Sequence, residues 1–195
     1  KSDGTLWGWG YNFYGSVGDG TTTKRLSPVM VGTGFAFIAS GSVADHTVAI
    51  KTDGTLWAWG RNNWGEVGDG TFVHRPTPVQ IGTDYKYAAV GLGHTLAIKT
   101  DGTLWAWGLN ASGQLGDKTF TNRSKPVMVG AGFVAVATGN IHSVGLKADG
   151  TLWGWGYNNY GAVGDGTTTD RATPVQIGTG IASIAAGYDA SFAIK

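Results

Sequence analysis

With 195 residues, 34 of them Gly and none Cys, the chain has the length of one domain and no means for disulfide or thiol chemistry. Charged residues make up only 14%, and a net charge near +1 with no basic or acidic block argues against a dedicated nucleic-acid binder. No apolar run approaches the roughly 20 residues of a membrane-spanning helix, and no signal peptide is visible, so neither membrane insertion nor a nucleic-acid partner is expected. The chain starts without Met and in mid-repeat, as a processed product or a fragment would. A Cys-free composition suits the cytosol and a bacterial surface protein alike; the extracellular or cell-surface setting is favoured here.

In chain order, the first element is Asp-Gly-Thr-Leu-Trp-x-Trp-Gly at 3–10, and it recurs at 53–60, 101–108 and 149–156. The Lys two positions earlier is Lys1, Lys51, Lys99 or Lys147, and the chain stops at Lys195, giving spacings of 50, 48, 48 and 48. A period of this size means a solenoid, propeller or array. The units are 1–50, 51–98, 99–146 and 147–195, forming a single propeller domain, alone or as part of a larger or dimeric ring.

Within a unit, Asp-Gly between alternating segments predicts a hairpin with a two-residue type I′ turn. That turn would place Ile50 opposite Trp57, Ala49 opposite Ala58 and Val48 opposite Trp59. It would give a bulky face and a small face that stack sheet on sheet. The Pro-Val strands at 28–32, 78–82, 126–130 and 174–178 follow, with Pro tolerated at a strand start. A further short strand ends at Gly41, Gly91, Gly139 or Gly187, and the first unit's two extra residues make 42–45 a loop. Four strands per unit and no helix predict an all-β propeller with four antiparallel strands in each of four repeats of 48–50 residues. Ring closure would pair 191–195 with 5–10, Ala193 facing Gly8 and Ile194 facing Trp7, within one chain or between two.

The order Asp-Gly-Thr-Leu-Trp-x-Trp-Gly-x-Asn-x-x-Gly-x-(Val/Leu)-Gly-Asp, then Arg, Pro-Val and Gly-x-x-His-(Thr/Ser), resembles the regulator of chromosome condensation repeat in its short bacterial form. The resemblance covers all 195 residues. It implies a propeller that commonly closes with seven blades. Eukaryotic members are nucleotide exchange factors for a small GTPase and bind chromatin, acting through loops and a wedge between blade strands. Related bacterial propellers inhibit β-lactamases or belong to large surface proteins. The present units hold no wedge-like insertion.

The Trp pairs 7/9, 57/59, 105/107 and 153/155 are expected in the interblade core rather than as exposed sugar platforms. His46, His94 and His142 share one repeat position whose fourth member is Ala190, and are expected to brace strands rather than to bind zinc. Asp19/Arg25, Asp69/Arg75, Asp117/Arg123 and Asp165/Arg171 are expected as loop-closing ion pairs, and His74 as a surface loop residue. Gly-Asp-Gly-Thr at 18–21, 68–71 and 164–167 reads as a turn, because Glu66 is the only Glu and no calcium or phosphate loop fits. No nucleophile, acid–base pair, cofactor or metal site stands out, so no enzyme is expected.

The loop after each Trp-x-Trp-Gly varies around a fixed Asn. Tyr11, Phe13, Tyr14, Arg61, Trp64, Tyr157 and Tyr160 decorate these loops, and Tyr, Trp and Arg are the residues enriched at interface hot spots. They are the expected partner-binding residues of a non-catalytic protein-interaction scaffold. The alternatives are an assembly module, in which two four-blade halves complete an eight-bladed ring, and a glycan-binding propeller.

Overall fold

The computed structural model describes residues 4–41 and 44–195. The expectations for Lys1, Asp3, and Ser42 and Val43 within the loop at 42–45 fall outside these residues. Sixteen strands follow one another, and no helix occurs among the described residues. The first repeat gives β1 (Leu6–Gly10), β2 (Arg25–Gly32), β3 (Phe35–Ser40) and β4 (His46–Lys51). The second gives β5 (Leu56–Gly60), β6 (Arg75–Gly82), β7 (Tyr85–Val90) and β8 (His94–Lys99). The third gives β9 (Leu104–Gly108), β10 (Arg123–Gly130), β11 (Phe133–Thr138) and β12 (His142–Lys147). The fourth gives β13 (Leu152–Gly156), β14 (Arg171–Gly178), β15 (Ser183–Ala186) and β16 (Ser191–Ile194). The chain is the all-β propeller its repeats predict, with four antiparallel strands per unit.

The blades are out of phase with the repeats. The complete sheets are β3-β4-β5-β6, β7-β8-β9-β10 and β11-β12-β13-β14, and each joins two strands of one repeat to two of the next. What remains is a two-stranded sheet at either end, β1-β2 and β15-β16. The expected closure of β16 on β1 is not seen among the described residues, where β1 lies in a sheet with β2 and β16 in a sheet with β15.

The hairpin register also differs from expectation by one residue. Val48 faces Ala58, Ala49 faces Trp57, Thr47 faces Trp59 and Ile50 faces Leu56. The cause is the turn. Gly54 N–H donates to the Lys51 carbonyl at 3.0 Å, and Lys51 N–H to the Thr55 carbonyl at 2.9 Å, so the loop is three residues long. Only Gly54 has positive φ, at 79°, whereas a type I′ turn would demand it of Asp53 too. Asp53 instead accepts from Thr55, Oδ1 meeting the Thr55 hydroxyl at 2.7 Å and its N–H at 2.9 Å.

One residue of slip exchanges the faces. Both indoles of a Trp-x-Trp now project from one face, across from Thr47 and Ala49, while Val48, Ile50, Leu56 and Ala58 form an aliphatic face. Stacking follows directly. The aliphatic face of the first complete blade packs against Ala97 and Trp107 of the second. Leu96, Ile98, Leu104 and Ala106 then meet Phe133 and Trp155 of the third. The core position is therefore the second Trp of each pair: Trp59, Trp107 and Trp155 are buried, whereas Trp57, Trp105 and Trp153 are half-buried. Trp9, in the end half-blade, is 63% exposed.

Candidate functional site

The variable loops are held by a buried asparagine. Asn12, Asn62, Asn110 and Asn158 are completely buried. In the second loop Asn62 Oδ1 accepts from Val67 N–H at 2.9 Å, while Nδ2 lies 3.1 Å from the carbonyls of both Thr71 and Val73. The Asp of each Gly-Asp then orders the return of the chain. Asp69 Oδ1 accepts from the Thr71 hydroxyl at 2.7 Å, and Asp69 Oδ2 accepts from Arg75 Nε at 2.5 Å. The same ion pair forms in all four units, Asp19–Arg25, Asp117–Arg123 and Asp165–Arg171 being the others. These contacts hold Asp69 and Asp117 below the usual carboxylate range against the upward pull of burial. Asp165, in the fourth loop, is lowered to about 2, chiefly by the Thr167 hydroxyl. Gly-Asp-Gly-Thr is thus a turn device, and the Arg residues are occupied. His74 has a local duty in the loop: its Nδ1 accepts from Asn62 N–H at 3.0 Å, as Asn122 and Asp170 accept from Asn110 and Asn158.

On this frame the first two loops bring five of the seven expected residues together. Tyr11 stacks on Phe13 at 6.4 Å between centroids, and Phe13 meets Tyr14 edge-on at 4.9 Å. The Arg61 guanidinium then lies 5.5 Å from the Tyr14 centroid and 4.0 Å from that of Trp64. Trp64 rests on the Gly93 backbone, where a Cβ would come within 2.2 Å of the indole. Tyr11 and Phe13 are exposed; Tyr14, Arg61 and Trp64 are half-buried. Tyr157 and Tyr160 form a separate edge-on pair at 6.0 Å, since the third loop carries Leu109, Ala111 and Ser112 and so no ring.

Beneath Arg61 lies Glu66, the single Glu of the chain, which was not among the expected contact residues. Glu66 is fully buried; its Oε2 accepts from Trp64 N–H at 2.7 Å, while Oε1 makes no hydrogen bond and faces Arg61 Nε at 3.8 Å. Burial raises the Glu66 pKa, and the backbone donors and Arg61 only partly offset it. Gln114 takes the same place in the next unit, with Oε1 accepting from Ser112 N–H at 2.9 Å. Lone Glu66 among Ser16, Gln114 and Ala162 was the available signal.

The three His side chains bind neighbouring blades. His46 Nε2 lies 2.9 Å from Thr95 Oγ1, His94 Nε2 3.1 Å from Ser143 Oγ, and His142 Nε2 3.0 Å from Ser191 Oγ. Each hydroxyl spends its proton on a backbone carbonyl, that of Glu66, Gln114 or Ala162. It must therefore accept from the imidazole, which fixes the Nε2–H tautomer. The same carbonyls of Glu66 and Gln114 also accept the indole N–H of Trp107 and Trp155 at 2.9 Å.

Comparison with known proteins settles the lineage. The regulator of chromosome condensation (RCC1) repeat matches residues 3–50, 53–98, 101–146 and 149–194. The chain belongs to the RCC1 repeat family. Among solved structures, human WBSCR16 aligns with all of this RCC1-repeat chain at a TM-score of 0.84 and 22% identity. Prp20p from Saccharomyces cerevisiae aligns with 97% of it at 0.83 and 24% identity. These likenesses establish the fold. The chain spans about half the length of these proteins, 54% of the first and 51% of the second. The structure of Prp20p was described together with its binding to Gsp1p and histones, and yeast RCC1 (Prp20) has been crystallised with Kap60 bound. No curated protein sequence matches the chain.

Proposed function

We propose that the chain is a non-catalytic scaffold for protein–protein interaction whose contact surface is the aromatic rim at Tyr11, Phe13, Tyr14, Arg61 and Trp64, with Tyr157 and Tyr160 as a second contact. The observation that carries this reading is the continuous run of rings with a guanidinium between two of them. Exposed Tyr and Phe rings already fixed by their neighbours lose little side-chain freedom on binding, and Tyr, Trp and Arg supply most hot-spot energy. Relatives of the same fold include a protein that binds Gsp1p and histones, which supports a protein partner.

The test uses Tyr11→Ala and Phe13→Ala together, both exposed, and separately the triple change Tyr14→Ala, Trp64→Ala and Tyr160→Ala. Immobilised wild-type chain is expected to retain a defined set of proteins that both variants lose while their melting curves stay cooperative. Retention unchanged by either variant overturns the reading. Capture on a glycan array that depends on Trp64 replaces it with carbohydrate binding.

A further inference from the structure

Arg61 and Glu66 depart from the repeat together. At the place of Arg61 the other units carry Tyr11, Leu109 and Tyr157; at that of Glu66 they carry Ser16, Gln114 and Ala162. The fold sets the two departures side by side, Arg61 Nε lying 3.8 Å from Glu66 Oε1. The loop itself does not need the charge. Gln114 Oε1 accepts Ser112 N–H at 2.9 Å just as Glu66 Oε2 accepts Trp64 N–H at 2.7 Å, so a neutral amide holds the same turn. In the fourth unit Ala162 stands there, and Asn158 still holds Val163 N–H at 3.0 Å. What the carboxylate adds is a second oxygen, and that oxygen faces Arg61.

The two oxygens of Glu66 differ in what they can receive. Oε2 already accepts Trp64 N–H, and a proton there would set donor against donor. Oε1 is buried without a hydrogen bond, so it is the oxygen that takes the proton. Protonation then turns the acceptor facing Arg61 Nε–H into a donor and cancels the charge that attracts the guanidinium. No hydrogen bond secures Arg61 Nε in its buried place. Asp45 offers the alternative: its Oδ2 lies 3.8 Å from Arg61 Nη1, and its side chain is 34% exposed where Glu66 is buried. Trp64 meanwhile keeps its N–H bond and its seat on Gly93.

We propose that Glu66 is the positioning residue of the aromatic rim: ionised, it fixes the Arg61 guanidinium between Tyr14 and Trp64, and protonated, it releases the guanidinium toward Asp45 while the indole stays. The proposal rests on the rim reading and names the regulation of that surface. Above the Glu66 titration the rim offers a partner a cation clamped between two rings; below it, an open slot between them. Burial places that titration above 4.5, with the Arg61 charge among the groups that pull it back. The other ionisable neighbours are few. His46 at the head of β4 and His94 at that of β8 are held down to about 3 by burial and stay neutral throughout. Burial and the Arg61 charge lower His74, which meets the Tyr14 ring at 4.9 Å and is the group to be separated from Glu66.

Glu66 is the only Glu in the chain, so labelling the glutamate side-chain carboxyl with carbon-13 gives a single NMR signal. That signal is followed from pH 8 to pH 4 beside the Arg61 Nε–H signal, which is assigned by its absence from Arg61→Lys. The two are expected to shift with one midpoint above 4.5, the Arg61 signal moving toward that of free arginine. Glu66→Gln is expected to show the acid position of the Arg61 signal at every pH. His74→Asn, which copies Asn122, is expected to leave the midpoint in place. An Arg61 signal that stays still while Glu66 titrates, that follows His74 instead, or that keeps its wild-type position in Glu66→Gln overturns the proposal. No partner enters this measurement. The rim reading fails on protein retention and the positioning role on these two signals, so the two failures are told apart.

Discussion

Trp59 donates its indole N–H to the carbonyl of Ser16, 43 positions earlier and in the preceding blade, at 2.9 Å. The same bond, at a separation of 41 positions in both cases, ties Trp107 to Glu66 and Trp155 to Gln114. Trp107→Ala is expected to cost about 3–5 kcal/mol, the range for emptying a buried aromatic site. Trp57→Ala, half-buried and bonded to Thr55, is expected to cost clearly less. Urea unfolding of the two variants side by side checks the ranking; equal losses would place both indoles in the core.

Acid is expected to destabilise the fold through its imidazoles. Burial pushes His46 and His94 down to about 3 from 6.5, aided by the Arg61 charge for His46 and by the other imidazoles for His94. Between those values the unfolded chain binds protons that the fold refuses, so stability is full above 6.5 and falls as pH drops toward 3. Protonation would place a new N–H on Nδ1 of His46 or His94, which has no hydrogen-bond partner. The paired carboxylates Asp69 and Asp117 act in the same direction only below 3.8, where their contribution is lost as pH falls through their depressed folded values. Melting temperature followed from pH 7 to 4 therefore separates the imidazoles from the paired aspartates, and because Glu66 titrates in the same window with the opposite sign, the imidazole share is read from His94→Asn, which is expected to flatten the curve.

Glu66 has the opposite sign. Its folded pKa is raised above 4.5, so its contribution is intact below 4.5 and is lost as pH rises through the raised value. Glu66→Gln imitates Gln114, keeps an acceptor for Trp64 N–H and removes the buried charge. Arg61 retains Asp45 at 3.8 Å. A gain of about 1 kcal/mol at pH 8 is expected, shrinking toward pH 4, as when a buried ion pair is replaced by a neutral group of similar shape. Thermal melts at the two pH values measure it; destabilisation at pH 8 would mean that the Arg61 contact outweighs the desolvation of the carboxylate.

Asn110→Ala is expected to loosen the third loop. It strands Leu115 N–H, otherwise bonded to Asn110 Oδ1 at 3.0 Å, and removes the donor between the Thr119 and Thr121 carbonyls. Each buried group left unpaired costs about 1–3 kcal/mol. Hydrogen exchange should quicken at Leu115 and neighbouring amides before it does in β9, and unchanged protection at Leu115 would contradict the role given to the asparagine.

The repeat made the architecture readable: the period and the four strands per unit both stand in the structure, but the Pro-Val strands begin three residues earlier than expected, at Arg25, Arg75, Arg123 and Arg171, with a break in register between the Arg and the Pro-Val. The hairpin register did not follow, because Asp-Gly serves a two-residue turn and the end of a three-residue turn equally well. Which applies depends on whether Asp53 spends its carboxylate on Thr55. The loop aromatics could be singled out because they break the repeat. The buried asparagine was visible as the fixed member of each loop, but its partners lie up to 11 positions away, beyond any local turn signal. The phase of the blades was hidden for a similar reason: sequence periodicity reports the length of a unit and nothing about where one sheet stops.

That phase has an evolutionary consequence. Since each blade is half of one repeat and half of the next, the unit that is inherited and the unit that folds are offset. An unequal crossover that removes or duplicates 48 residues, wherever it falls, joins a strand to the same neighbour it had before. Length then changes by whole blades with every internal strand pairing kept.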